Sequence, residues 1–245
     1  MDLRGRVALV TGGGIRVGRA LVLGLAQRGA TVAVHYNRSE KDARAVVDSV
    51  SGMGGTAATF GADLTQDAAA EALVNALMHR FGRLDVLVNS AAVMMRTPFG
   101  EVSPGAWDDM FALNLRAPFL LAQAAAPHLR IAPGGGAIIN ISDLAAFETW
   151  PGYVPHGMTK AGIVYMTRAL ARVLAPEVRV NAIAPGTVLL PEDFRHEDAA
   201  HLTQTTPLKR DGSPEDVVQA MLYLLDAEYV TGETIIVDGG RHIRR

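Results

Sequence analysis

His156 precedes Lys160 by four residues in Gly152-Tyr153-Val154-Pro155-His156-Gly157-Met158-Thr159-Lys160, and Asp143 lies thirteen residues upstream of the histidine. Imidazole is the side chain that changes charge near neutral pH, which makes it a ready proton donor or acceptor. A neighbouring ammonium disfavours imidazolium and a facing carboxylate favours it, so Lys160 and Asp143 pull His156 in opposite directions. The three side chains together point to proton transfer.

A second group of residues points to phosphate. Thr11-Gly12-Gly13-Gly14-Ile15-Arg16-Val17-Gly18 follows the apolar run Val7–Val10 and leads into a helical pattern carrying Leu21, Leu23 and Leu25. Glycines let the backbone approach a pyrophosphate, and the helix that follows offers free N–H groups and the positive end of its dipole. A glycine cluster alone also serves as a plain tight turn; with a strand before and a helix after, in the first βαβ unit, dinucleotide binding is the better reading. The next strand runs into Tyr36-Asn37-Arg38-Ser39. A ribose 2′-hydroxyl calls for a carboxylate here and a 2′-phosphate for cations and hydroxyls. Arg38 and Ser39, with Arg16 projecting from the turn toward the same region, predict NADPH over NADH. Ser39 also reads as a helix cap, with Asp42 completing a Ser-x-x-Asp box.

These groups need a frame. Short apolar runs alternate with amphipathic stretches throughout, the pattern of βαβ units forming one parallel sheet with helices on both faces. Strands are predicted at Val7–Val10, Thr31–His35, Thr56–Phe60, Leu84–Val88, Gly136–Ile141, Arg179–Ile183 and Thr234–Val237, with helices at Arg16–Arg28, Glu40–Ser51, Asp67–Phe81, Trp107–Arg130, Met158–Ala175 and Pro214–Leu225. Ser103 and Ser213, each before a proline, are N-cap candidates. The stripe Ile163, Met166, Leu170 and Val173 reads as core. The fold class is a single-domain, doubly wound, Rossmann-like α/β protein with seven parallel strands over 1–245, and residues 187–210 are expected to cover the substrate. A net charge of −2 implies no nucleic-acid partner, and the lack of cysteine excludes disulfides, iron–sulfur clusters and thiol nucleophiles. No apolar run approaches the ~18 residues of a membrane span. The default expectation is a cytoplasmic protein acting on a small molecule.

Taken in order, Thr11-Gly12-x3-Arg16-x-Gly18, Asp63-Leu64, Asn89-Ser90-Ala91-Ala92, Asn114, Asn140-Ile141-Ser142-Asp143, Lys160, Asn181-Ala182-Ile183-Ala184-Pro185-Gly186 and Val237-Asp238-Gly239-Gly240 resemble the short-chain dehydrogenase/reductase family across essentially the whole chain. Arg16, His35-Tyr36-Asn37-Arg38-Ser39 and Asp143 look most like its pteridine reductase branch. The resemblance implies that Gly12, Arg16, Val17, Gly18 and residues Tyr36, Asn37, Arg38 and Ser39 hold NADP(H). Asp63 and Leu64 would take the adenine, and Asn89, Ser90 and Ala91 would lie along the cofactor. Pro185, Gly186 and Thr187 would flank the nicotinamide carboxamide. Asn114 would anchor a proton path, Lys160 would bind the nicotinamide ribose, and Met94 and Tyr153 would meet substrate. A homotetramer, or at least a homodimer, is also implied.

Three positions depart from the family pattern. His156 stands where the family carries its proton-donating tyrosine, Asp143 where it carries serine, and Met94 where the pteridine reductases present a ring-stacking phenylalanine. His156 is read as a substitute acid working with Asp143 and Lys160, as a lesion, or as a bystander replaced by Tyr153 or by Asp143 itself. Imidazole is shorter than phenol, and misplacement by about 1 Å can cost ~10²-fold in rate. The leading expectation is an NADPH-dependent oxidoreductase reducing a carbonyl or pterin-like imine; the alternative is an NADPH-binding regulatory or scaffold protein with weak or no turnover. His196 and His201 are five residues apart, about 140° around a helix, so no zinc-protease helix is expected there. No metal site is expected.

Overall fold

The computed structural model describes residues 1–189 and 202–243. Its strands are β1 (Val7–Val10), β2 (Thr31–Tyr36), β3 (Ala57–Gly61), β4 (Val86–Asn89), β5 (Gly136–Ile141), β6 (Val178–Pro185) and β7 (Thr234–Val237). They form one parallel sheet in the order β3-β2-β1-β4-β5-β6-β7. The order reverses between β1 and β4, and ligands of open α/β sheets bind beyond the strand C-termini at such a reversal.

Successive residues of a strand face opposite sides, so continuous apolar runs feed two cores at once. On one side Ala8, Val10, Val32, Val34, Val86 and Val88 pack under α1 (Arg16–Gln27), α2 (Glu40–Gly52) and α7 (Pro214–Asp226). On the other, Val7, Leu9, Ala33, Leu87 and Ile138 pack under α3 (Ala69–Phe81) and α5 (Ala117–Arg130), joined by the last turns of α6 (Val154–Leu174). Each fully buried aliphatic side chain contributes about 1.5–3 kcal/mol.

Capping follows the predicted chemistry at two of three sites. Ser103 accepts from the Ala106 N–H at the start of α4 (Pro104–Phe111), and Ser213 and Asp216 form a reciprocal capping box on α7. Ser39 makes no side-chain cap on α2, so the predicted Ser39–Asp42 box does not form. The long helix predicted from Trp107 is interrupted by a π-helical turn at Ala112–Arg116 between α4 and α5. In the α6 stripe Ile163 and Met166 are buried, whereas Val173 in the last turn is exposed. No described helix is long and apolar enough to cross a membrane.

Candidate active site

Because every strand runs the same way, the loops after β1 to β6 gather along one sheet edge. The turn after β1 is held from both sides. The Thr11 hydroxyl oxygen accepts from the N–H groups of Ser90 and Ala91, joining it to the end of β4 at 2.9 and 3.0 Å. Gly12 adopts φ +64, open to glycine at no cost, and a Cβ there would stand 3.0 Å from the Ala91 Cα. A Cβ on Gly14 would press on the Ala43 backbone at 3.1 Å, and one on Gly18 would overlap the Gly12 carbonyl oxygen. α1 then starts with no side-chain cap. A backbone stripped of side chains and an uncapped helix N-terminus fit a pyrophosphate, whose oxygens accept from such N–H groups.

Beyond β2 lie Asn37, Arg38 and Ser39, with the Ser39 hydroxyl not engaged in capping. The Tyr36 ring lies against Gly61, where a Cβ would stand 2.9 Å from it. Asp63, after β3, accepts from the Thr65 hydroxyl at 2.7 Å and the Thr65 N–H at 3.1 Å. These bonds, the hydroxyl first, hold its carboxyl below the ordinary value, with a smaller contribution from the positive charge of Arg38. Leu64 beside it is buried. Arg16, with φ 50, donates to the Leu189 carbonyl oxygen at 2.7 Å, so its guanidinium is drawn to the segment after β6. Val17 packs on the adjoining core.

The proton-bearing residues come together further along the same edge, beyond β5 and at the start of α6. His156 Nε2 lies 3.7 Å from Asp143 Oδ2, and the histidine is 3% exposed. Neither of its ring nitrogens has a hydrogen-bond partner, an uncommon state for buried polar atoms. Asp143 Oδ1 accepts from the Ala145 N–H at 2.7 Å, which fixes the carboxylate and leaves Oδ2 toward the imidazole. Lys160, one helical turn on, donates to the Ile141 carbonyl oxygen at 3.0 Å. Burial holds its ammonium below the ordinary pKa, and the negative charge of Asp143 works in the opposite direction. The π turn presents Asn114 to Val93: its Oδ1 accepts from the Val93 N–H and its Nδ2 donates to the Val93 carbonyl oxygen, each at 2.8 Å. Nδ2 also donates to the Thr159 hydroxyl, tying the turn to α6. Asn89 donates to Asn140 at 2.8 Å across β4 and β5. Pro185 ends β6, Gly186 N–H donates to the Val237 carbonyl oxygen, and the Thr187 hydroxyl oxygen accepts from Arg241 at 2.6 Å.

Met94, one residue beyond Val93, is exposed. Tyr153 instead lines an apolar cleft of about 330 Å³ with Phe147, Trp150, Gly157, Met158 and Ala161, its ring edge-on to Trp150. Asp143, His156 and Lys160 are not in that lining. Residues 190–201 of the expected covering segment, including His196 and His201, lie outside the described residues. Among the described residues no cluster of His, Asp and Glu could hold a metal. Two site-building residues escaped sequence reasoning. Thr11 was visible as part of the turn motif. His35 was visible as a titratable side chain in the buried run of β2, within a motif that gave it no separate role.

A glycine-lined turn at the reversal of a doubly wound sheet and, along the same edge, a half-buried Asp143 facing buried His156 and Lys160 make up the candidate site. The family model described as enoyl-(acyl carrier protein) reductase matches residues 14–242, and the chain belongs to the short-chain dehydrogenase/reductase family. The 3-oxoacyl-[acyl-carrier-protein] reductase FabG of Staphylococcus aureus is 33% identical over 96% of this chain and 98% of its own length. FolM alternative dihydrofolate reductase 1 from Brucella canis, solved in complex with NADP, superposes with a TM-score of 0.93 at 33% identity, covering 100% of this chain and 96% of that one. A blue fluorescent protein from a metagenomic library, solved with NADPH, gives a TM-score of 0.91 at 33% identity, covering 98% and 99%.

Proposed function

We propose that the protein is an NADPH-dependent reductase of a carbonyl or pterin-like imine, with His156 as the proton donor in the place where the family carries tyrosine. The observation that carries this reading is the buried imidazole, unpartnered at both nitrogens, with a carboxylate oxygen 3.7 Å from Nε2. When bound, NADPH supplies the hydride. The protein supplies the rest: Asp143 stands 3.7 Å from the imidazole as its facing carboxylate, and Lys160 orients the nicotinamide ribose from the floor of the site. Asn114 fixes Val93, and through it the loop that carries Met94 toward the substrate. Gly12, Gly18 and the start of α1 take the pyrophosphate. Arg38 and Ser39 take the 2′-phosphate, and the failure of Ser39 to cap α2 supports that assignment over a structural one. Asn89 to Ala91 and Pro185 to Thr187 flank the cofactor.

The pterin assignment draws on the likeness to FolM alternative dihydrofolate reductase 1; the likeness to a 3-oxoacyl reductase keeps ketones alongside it. A homotetramer or homodimer is proposed from the exposed Tyr165 and Val173 on α6 and Phe119 on α5, and sedimentation as a monomer only would refute it. The test of function is NADPH consumption with dihydropterins and carbonyl compounds, running wild type, His156→Tyr and His156→Phe together. Turnover by wild type that falls ~10²–10⁴-fold in His156→Phe supports the reading. Turnover in His156→Tyr alone would identify a cofactor-binding protein without activity of its own, and undiminished turnover in His156→Phe would remove the histidine from the mechanism.

A further inference from the structure

The glycine turn is held by a side chain that needs one particular protonation state. His35, 2% exposed, ends the buried part of β2. The Gly12 N–H donates to its Nδ1 at 3.1 Å, and its Nε2 lies 3.0 Å from the Ala62 carbonyl oxygen. A backbone N–H can only donate and a carbonyl oxygen can only accept. The two partners therefore assign the tautomer, with a proton on Nε2 and none on Nδ1. The main chain adds a third tie, since the Gly13 N–H donates to the His35 carbonyl oxygen at 2.9 Å. One residue of the middle strand thus joins the turn after β1 to the chain after β3, where Asp63 begins.

We propose that His35 is a positioning residue of the dinucleotide turn: as the Nε2–H tautomer it clasps Gly12 to Ala62 and sets the turn for its ligand, and a second ring proton opens the clasp. The inference rests on the assignment of NADP(H) to this turn. Imidazolium would set an N–H on Nδ1 against the Gly12 N–H, two donors at 3.1 Å, and would place a charge in a buried site. Burial accordingly holds the ring's pKa below its ordinary value, opposed by the bond to Ala62. The charged and titratable groups around it are committed elsewhere. Asp63 after β3 is bonded to Thr65, Arg16 on the turn to Leu189, and Arg38 acts on Asp63. Tyr36, next on β2, lies on Gly61, while α1 and α2 offer Val22 and Ala43 to the turn. Since the folded pKa is lowered, the clasp stays closed through the ordinary imidazole range and opens as pH falls through the folded value; its contribution to stability is complete above about pH 6.5 and declines below it.

The test has two independent readouts. In the ¹⁵N-histidine-labelled protein without ligand, long-range ¹H–¹⁵N spectra should show His35 as the Nε2–H tautomer near pH 8. NADPH binding is then titrated by fluorescence from near pH 8 down to the acid limit of the fold for wild type, His35→Gln and His35→Phe. A glutamine amide offers one acceptor and one donor and does not titrate. Near pH 8, His35→Gln should bind within about three-fold of wild type and His35→Phe about ten-fold more weakly. On acidification wild type should lose roughly ten-fold more affinity than His35→Gln. The 2′-phosphate, with a pKa near 6, affects both proteins equally and drops out of that difference. A proton on Nδ1 near pH 8, or parallel loss of affinity in wild type and His35→Gln, overturns the proposal. Failure of wild type to bind NADPH at any pH would overturn the cofactor assignment instead, and the tautomer spectrum would still decide the clasp by itself.

Discussion

Lys160 shows how a residue can weaken the fold for the sake of a ligand. Its ammonium is buried, 5% exposed, with one backbone carbonyl as hydrogen-bond acceptor, and burial depresses its pKa. A buried charge with incomplete compensation destabilises the folded state. Lys160→Met should therefore raise the melting temperature of the protein without ligand while weakening NADPH binding about ten-fold or more. The pH dependence follows from the direction of the shift. Between the lowered folded pKa and the unfolded value of about 10.4, the unfolded chain binds more protons, so wild-type stability rises with pH relative to the variant. Urea unfolding at several pH values checks this, and identical profiles would mean that Lys160 is solvated. The grouping of Asp143, His156 and Lys160 was readable from the family resemblance together with their spacing. The orphaned state of both imidazole nitrogens was not, because it depends on Asp143 Oδ1 being drawn to Ala145.

Elements were readable where a local pattern dictates them. The strand cores Val7–Val10 and Thr234–Val237 were placed as observed, since continuous apolar runs between turn residues leave little choice. α6 begins at Val154, not Met158, because Pro155 fits its first turn, so His156 and Lys160 share one helix a turn apart. The π turn had no visible signal: the run from Trp107 to Arg130 has helical composition throughout, and the distortion is tied to the pairing of Asn114 with Val93, a long-range contact. The glycine turn is the element where sequence and geometry agree most closely, and it allows a sharp forecast. In Gly18→Ala the new methyl would overlap the Gly12 carbonyl oxygen, which is backbone and cannot step aside without moving the turn. NADPH affinity should fall ~10²-fold or more while far-UV circular dichroism stays unchanged, because the displaced groups are the N–H donors themselves. Retention of affinity within a few-fold would show that the pyrophosphate binds elsewhere.

At the scale of the whole molecule, alternation of strands and helices sufficed to predict seven parallel strands with helices on both faces, because βαβ connections leave few other arrangements. It left unexplained a carboxylate in a run otherwise fit for burial, Asp85. That residue turns out to pin the base of the sheet, at the end opposite the site. Its side chain is fully buried and accepts from Arg6 at 2.9 Å, from Arg83 at 2.6 and 2.8 Å, and from the Val7 N–H at 2.9 Å, so it fastens β1 to β4 across the reversal on which the site depends. Burial alone would raise its pKa; the bonds from Arg83, Val7 and Arg6 together outweigh burial and leave it lowered. With the folded pKa depressed, the contribution is fully present above the unfolded value of about 3.9 and disappears as pH falls through the folded one. Arg83 is partly exposed and solvent screens its share, so the largest loss in Asp85→Asn comes from the mostly buried Arg6 left without its counter-charge. The amide oxygen can still accept from Val7, so the strand register should survive and the cost should fall near ~3 kcal/mol, at the lower end for a broken buried pair. Urea unfolding near pH 7 should measure that loss, and between about pH 4 and pH 2 the stability of the variant should fall less steeply than that of wild type. Equal acid slopes for the two proteins would mean that Asp85 titrates alike folded and unfolded, and that the sheet is pinned by its apolar layers alone.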